Sequence, residues 1–259
     1  MESVLETIVA RSRAALEETK RRVPAAELER RIAALPPCGD FAGALAAPGF
    51  RVIAELKAAS PSRGVIRRPL AVRELAAELE QAGAAALSVL TERNFFLGGL
   101  ENLETAAETV SIPLLRKDFI YDEYQLLEAR ASGADAVLLI AAMLPAAAYR
   151  RLYCFASELG LAVLSEAHTE AELEMLLENG GAIIGVNARN LANFETSLEL
   201  SAELLRRIPS DRIAVGESAI RCRQDMEQLR AAGARAFLIG ETLMRAPRPG
   251  EKLCELLSK

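Results

Sequence analysis

The chain has 259 residues, 51% hydrophobic and 26% charged, which is long enough to bury one large core. A net charge of −5 argues against a nucleic-acid or anionic-membrane surface, so an anionic ligand has to be drawn in by local cations. Four dispersed cysteines (Cys38, Cys154, Cys222, Cys254) and a single histidine, His168, make no zinc or haem pattern, and the thiols read as reduced ones in a cytoplasmic protein.

The chain begins Met-Glu-Ser, without the basic and apolar regions of a secretory signal. Residues 1–22 form a charged helical stretch ending in Lys20, Arg21 and Arg22, which read as a solvated helix end. A lid over the mouth of the following domain is the alternative. Pro24, Pro36, Pro37, Gly39, Gly43 and Pro48 then punctuate the chain, so residues 1–48 are expected to form a helical extension ahead of a domain over 49–259. Within that domain four junctions recur, at 82–84, 132–134, 180–182 and 232–234. Their glycines, taken as Gly83, Gly133, Gly181 and Gly233, are expected to end helices in the left-handed conformation, and they recur about every fifty residues.

Apolar β runs are predicted at 51–57, 85–90, 112–116, 135–140, 161–166, 183–187, 212–216 and 235–239. The stretch 136–149 is too short to span a bilayer and divides into a strand and a helix. Helical patterns separate the runs, and one opens with Thr169 and Glu172 spaced as a capping box. Continuous apolar strands alternating with helices predict a parallel sheet covered on both faces. Eight units in roughly 210 residues predict an α/β fold, a single (β/α)8 TIM barrel. The alternative, an open doubly wound sheet, lacks a Gly-x-Gly-x-x-Gly turn.

Polar residues fall where such a barrel builds its sites. In the first run Ile53, Glu55 and Lys57 share one face and Val52, Ala54 and Leu56 the other, so the charged pair points inward. Lys117 ends the third run, Glu166 the fifth, Asn187 and Arg189 the sixth, and Glu217 and Ser218 the seventh. Glu55, Lys117, Glu166 and Glu217 come from odd-numbered strands and are expected to share one layer. One buried Glu–Lys pair is compatible with a satisfied ion pair alone. Charges at five strand ends point to a pocket, because each desolvated charge costs several kcal/mol. Lys57 beside Lys117, together with burial, is expected to lower the lysine's pKa toward neutrality. Gly240 and Glu241, before a short helical turn, and Ser60 and Ser62 are candidate phosphate contacts. Phe95, Phe96 and Phe119 either anchor loops or face an aromatic ligand. His168 reads as a capping or surface residue.

The segments VIAELKAASPSRG, LSVLTERNFFLGG, IPLLRKDFIYDEYQ, DAVLLIAAML, VLSEAHTEAEL, GVNARNL, GESAI and FLIGETLM, in this order over about residues 50–250, resemble indole-3-glycerol-phosphate synthase. The resemblance implies closure of the indole ring of 1-(2-carboxyphenylamino)-1-deoxyribulose 5-phosphate, a step of tryptophan biosynthesis that releases carbon dioxide and water. It implies no metal or organic cofactor, a small phosphorylated substrate, a monomer, and at most weak association with other tryptophan-pathway enzymes. By motif, Lys117 resembles the general acid and Glu166 the acid/base of dehydration. Lys57, supported by Glu55, resembles an anion contact and second acid. Asn187, Glu217 and Ser218 resemble the polar shell, and Arg189 a carboxylate contact. Ser60, Ala219, Gly240 and Glu241 resemble phosphate contacts, and Phe96, Phe119, Leu138 and Leu191 the apolar walls. Two positions depart from the family's usual residues: Ala219 stands where Gly is usual, and Gly99 where Ser is usual. The residues alone leave three rivals: a Schiff-base aldolase using Lys57 or Lys117, a phosphoribosyl isomerase, and a catalytically silent phosphosugar-binding barrel.

Overall fold

The eight apolar runs form eight parallel strands: β1 (Arg51–Leu56), β2 (Ala86–Leu90), β3 (Leu114–Lys117), β4 (Ala136–Ile140), β5 (Ala162–Ala167), β6 (Ile183–Asn187), β7 (Ile213–Glu217) and β8 (Ala236–Ile239). In this computed structural model, which describes residues 4–189 and 196–258, each strand pairs with its sequence neighbours. β1 closes onto β8, with Arg51 opposite Ala236 and Ala54 opposite Ile239. The result is the expected (β/α)8 barrel, with strand ends within about two residues of those read from the sequence.

Strand alternation produces two cores. Val52, Ala54 and Leu56 join the outer one, packed beneath the helices. Ile53, Leu115, Leu138, Leu164, Ile183, Val215 and Leu238 fill the barrel interior. Each such side chain removed from water contributes about 1.5–3 kcal/mol. Helices α4 (Val72–Gln81), α5 (Leu100–Ala107), α6 (Glu123–Ala131), α7 (Ala146–Glu158), α8 (Glu170–Glu178), α9 (Leu198–Leu205) and α10 (Arg223–Ala231) follow β1 to β7 in turn. Two helices, α11 (Glu241–Arg245) and α12 (Pro249–Leu257), follow β8. Residues 136–149 divide into β4, a 3-10 turn at Ala141–Met143 and the start of α7. Among the described residues no helix is long and apolar enough to cross a membrane.

Gly83, Gly133 and Gly233 turn the chain at φ 93°, 86° and 112°, as expected. At the fourth junction the left-handed residue is Gly180, at φ 87°, and not Gly181. Asn179 already caps α8, so the turn falls one residue earlier than the repeat suggested. Gly181 is needed for closeness instead, since a Cβ there would lie 2.7 Å from Ile184 Cδ1. The capping box is also offset. Thr169 Oγ1 accepts from the Glu172 backbone N–H, but the Glu172 carboxylate accepts from the N–H of His168.

Three helices precede the barrel: α1 (Val4–Arg22), α2 (Ala25–Ile32) and α3 (Phe41–Ala46). Phe41 and Leu45 of α3 join the barrel's interior cluster. Leu16 and Leu28 pack with Tyr124 and Leu127 of α6. Lys20 differs from the expected solvated end, because its Nζ lies 2.8 Å from Asp122 Oδ2 at the start of α6.

Candidate active site

At the C-terminal ends of the strands a cavity of about 490 Å³ opens, lined by Glu55, Lys57, Lys117, Glu166 and Glu217 among others. Lys117 Nζ lies 3.3 Å from Glu166 Oε2 and 3.7 Å from Glu217 Oε2. Lys57 Nζ lies 2.5 Å from Glu55 Oε1. Odd strands thus supply the charged layer. The even strands make room for it: a Cβ on Gly185 of β6 would fall 2.0 Å from Glu217 Oε1, and one on Gly240 after β8 would fall 2.2 Å from Glu55 Oε1. Gly240 is therefore required by the Glu55 side chain, whatever ligand it meets.

The electrostatics correct one expectation. Burial pushes the Lys117 ammonium down, but the carboxylates around it, Glu166 foremost, outweigh it and hold the lysine above its ordinary value. The lowering cation expected from Lys57 is neutralised by Glu55. The two glutamates beside Lys117 diverge. Burial raises the Glu166 carboxyl, but Lys117 and then His168 more than reverse this and keep it ionised. Burial, and then the Glu166 charge, hold Glu217 well above the carboxylate range. Its oxygens have no hydrogen-bond partner among the described residues. One carboxyl is thus held ionised and its neighbour protonated, because two buried carboxyls this close do not both carry charge.

Two buried networks hold this layer in place. Arg116, next to Lys117, points away from the cavity into the helix layer, with its guanidinium 3.1 Å from Thr91 Oγ1 and Asp118 Oδ2 and 3.3 Å from Glu128 Oε2. Asp118 in turn accepts from the Phe119 N–H at 2.8 Å. Glu92, after β2, accepts from the N–H groups of Asn94, Phe95 and Phe96 at 2.9, 2.7 and 3.0 Å. These contacts fix Phe96 beside Phe119, with ring centroids 6.0 Å apart, on one wall of the cavity. Leu138 lines the same cavity, and Ile8 of α1 reaches into it. Phe95 lies beneath the Arg11 guanidinium of α1, 5.4 Å from its ring centre, and anchors the loop.

The mouth is cationic. Glu241 Oε2 lies 3.2 Å from Arg189, and Glu241 Oε1 lies 3.1 Å from Arg63 and 3.0 Å from Arg245. Arg189 also donates to Ser62 at 2.5 Å, and its backbone N–H donates to Asn187 Oδ1 at 3.0 Å. Ser60 lines the cavity from a two-stranded hairpin that pairs Ala59 with Val65. Ser218 and Ala219 follow β7 at φ 64° and 59°. Left-handed backbone suits glycine, so Ala219, which stands where the family usually has Gly, holds a conformation that its methyl disfavours. Gly99 lies outside the cavity lining, at the start of α5.

Apart from Phe95, every sequence-predicted site residue that is described lines this one cavity. Leu191 lies outside the described residues. Sequence reasoning missed Ile8, Arg63 and Arg245, whose signal lies only in long-range packing. His168, read as a capping or surface residue, does give its backbone N–H to Glu172, but its side chain stands between Glu166 and Glu172, largely shielded from solvent. The Glu-x-His spacing at the end of β5 was the available signal. Among the described residues no three His, Cys, Asp or Glu side chains form a metal site, and all four cysteines are free thiols.

A closed parallel barrel with paired lysines and carboxylates at its C-terminal mouth defines a (β/α)8-barrel enzyme. The fold is shared with a tryptophan synthase alpha-subunit mutant from Pyrococcus furiosus, at TM-score 0.62 and 17% identity over 80% of this chain and 97% of that one. It is shared also with a thiamine phosphate pyrophosphorylase of the same organism, at TM-score 0.60 and 14% identity over 80% and 93%. Sequence goes further than fold. The family model for indole-3-glycerol phosphate synthase matches residues 5–256. Proteins of that name from Burkholderia cenocepacia and Aromatoleum aromaticum are each 45% identical over 260 residues, covering 99% of both chains. One from Variovorax paradoxus is 45% identical over 264 residues, again at 99% of each. The chain belongs to the indole-3-glycerol phosphate synthase family.

Proposed function

We propose that this chain, a carboxy-lyase by family, closes the indole ring of 1-(2-carboxyphenylamino)-1-deoxyribulose 5-phosphate in tryptophan biosynthesis, with Lys117 as the general acid. The observation that carries the assignment is the Lys117 ammonium, held charged between Glu166 and Glu217 in the wall of a 490 Å³ cup. As the aromatic carbon attacks the ketone, Lys117 donates its proton to the developing alkoxide, and a positioned acid contributes roughly 10²–10⁴-fold. Loss of carbon dioxide from the same ring carbon then leads back toward aromaticity. Dehydration follows, with Glu166 removing the proton and a lysine acid assisting departure of hydroxide. Glu217, in its neutral form, and Asn187 and Ser218 surround the reacting sugar carbons.

Lys57, Lys117, Arg63, Arg189, Arg221 and Arg245 face Glu55, Asp118, Glu166 and Glu241, which gives the cup a positive excess on a chain of net charge −5. That excess suits a substrate carrying a carboxylate and a phosphate. Arg189 takes the carboxylate. Lys57, Ser60 and the backbone at Ala219, Gly240 and Glu241 take the phosphate. Phe96, Phe119 and Leu138 flank the aromatic ring. Of the 1–48 extension, the described residues from Val4 onward pack on a single barrel domain, with Ile8 contributing to its mouth.

Lys117→Ala tests the assignment. Indole absorbance should show turnover reduced about 10²–10⁴-fold with a much smaller change in KM. Unchanged turnover would remove Lys117 from the acid role. An aldolase reading needs a neutral amine nucleophile, and a lysine held charged beside the Glu166 carboxylate does not supply one. Borohydride in the presence of substrate should leave the chain unmodified, and a trapped adduct on either lysine would restore Schiff-base chemistry in place of acid catalysis.

A further inference from the structure

His168 follows β5 two residues after Glu166, and its imidazole is largely buried. Nε2 lies 3.3 Å from Glu166 Oε1, and Nδ1 lies 3.4 Å from Glu172 Oε2 on α8. Neither nitrogen is aligned for a hydrogen bond, and both contacts become ion pairs when the ring is protonated. Glu172 is itself fixed: its carboxylate accepts from the His168 N–H at 2.8 Å, and its own N–H donates to Thr169 Oγ1 at 3.3 Å. The charged groups facing the ring are Glu166 from β5, Glu172 from α8 and Lys117 from β3. Glu217 and Asn187 stand beyond Glu166, on the cavity. Burial pushes the imidazole down, but Glu172 and Glu166 more than offset it and hold the ring above its ordinary value.

The ring does not line the cavity, so it acts only through what it touches. What it touches is the outer oxygen of Glu166, while the other oxygen faces Lys117. An apolar side chain would fill the same space, but it would leave the outer oxygen without a cation. Filling space therefore does not explain carboxylates on both ring nitrogens.

We infer that His168 is a positioning residue that, braced by Glu172, holds the Glu166 carboxylate in the orientation and ionised state the reaction requires. This rests on the role given to Glu166 above. Removing a neighbouring positive charge makes a carboxylate easier to protonate. The acid limb of the pH–kcat profile should therefore move to higher pH when His168 is replaced.

His168 is the chain's one histidine, so in untagged protein its ring gives a single set of imidazole resonances. By NMR its titration midpoint should lie above about 6.5, and Glu172→Gln should lower it. His168→Ala and His168→Gln should each shift the acid limb of kcat upward by about one pH unit, with KM within about twofold. Thermal unfolding of each variant checks the fold, and the Glu172→Gln titration stands even if a His168 variant fails to fold. A midpoint unmoved by Glu172→Gln, or an unmoved acid limb in folded His168 variants, would overturn the inference. Glu166→Gln separates the two levels. If it is inactive while the limb stays put, only the role of His168 falls. If it retains full turnover, the role of Glu166 falls and this inference falls with it.

Discussion

Glu217→Gln replaces a carboxyl group that is 1% exposed and lacks a hydrogen-bond partner among the described residues with an amide of nearly the same shape. The slot it fills is tight, since only the missing Cβ of Gly185 makes room for Oε1. Burial first, and the Glu166 charge second, raise this carboxyl well above its ordinary range, against the pull of Lys117 at 3.7 Å. In the unfolded chain the same group ionises near pH 4.3. Below that pH folding changes nothing in its protonation. Above it the folded chain binds a proton that the unfolded chain has lost. The stability contribution is therefore complete below about pH 4.3 and declines by about 1.4 kcal/mol per pH unit until the folded carboxyl ionises. An amide has no such slope. Urea unfolding from about pH 5 to 8 should show the stability of Glu217→Gln, minus that of the parent, climbing at about 1.4 kcal/mol per pH unit and then flattening. A pH-independent difference across that range would refute a protonated Glu217. Turnover gives a second reading. Gln keeps a hydrogen-bond donor, so Glu217→Gln should lose no more than about tenfold, whereas Glu166→Gln, which loses a base, should lose about 10²–10⁴-fold.

Gly240→Ala brings a methyl 2.2 Å from Glu55 Oε1 and 3.0 Å from its Cβ, and should cost about 1–3 kcal/mol in chemical denaturation while raising KM through the displaced Glu55–Lys57 pair. Ala219→Gly relieves a left-handed residue at φ 59° and should stabilise by about 1 kcal/mol, read as a rise of about 2–4 °C in Tm. Arg116→Met strands Asp118 and Glu128 without their buried cation and should cost about 3–5 kcal/mol in urea unfolding, although the side chain never meets the cavity.

Period-two alternation was enough to read the charged layer. Once Val52, Ala54 and Leu56 face the helices, Glu55 has to face inward, and the same parity places Lys117, Glu166 and Glu217. The barrel was legible for the same reason, because strands covered on both faces are continuous apolar runs. What stayed hidden depends on distances across the barrel. The protonation of Lys117 is set by the carboxylates that surround it, and those lie on strands β1 and β5, far apart in the chain. His168 looked like a cap because its backbone does serve one, while the ring's position between Glu166 and Glu172 depends on how α8 docks against β5. Gly180 and Gly181 are adjacent and identical. Only the point at which α8 stops decides which of them takes the left-handed turn.

The Glu92 clasp on three successive amides has a thermodynamic consequence at the moment of encounter. Because that backbone corner is held as the polypeptide folds, a benzene ring seated on Phe96 and Phe119, as proposed, would order no further backbone there. Little ordering entropy remains to be lost on that side. Calorimetry should accordingly register docking of the ring as a negative heat-capacity change set by the apolar area covered, free of the larger signature that accompanies coupled folding.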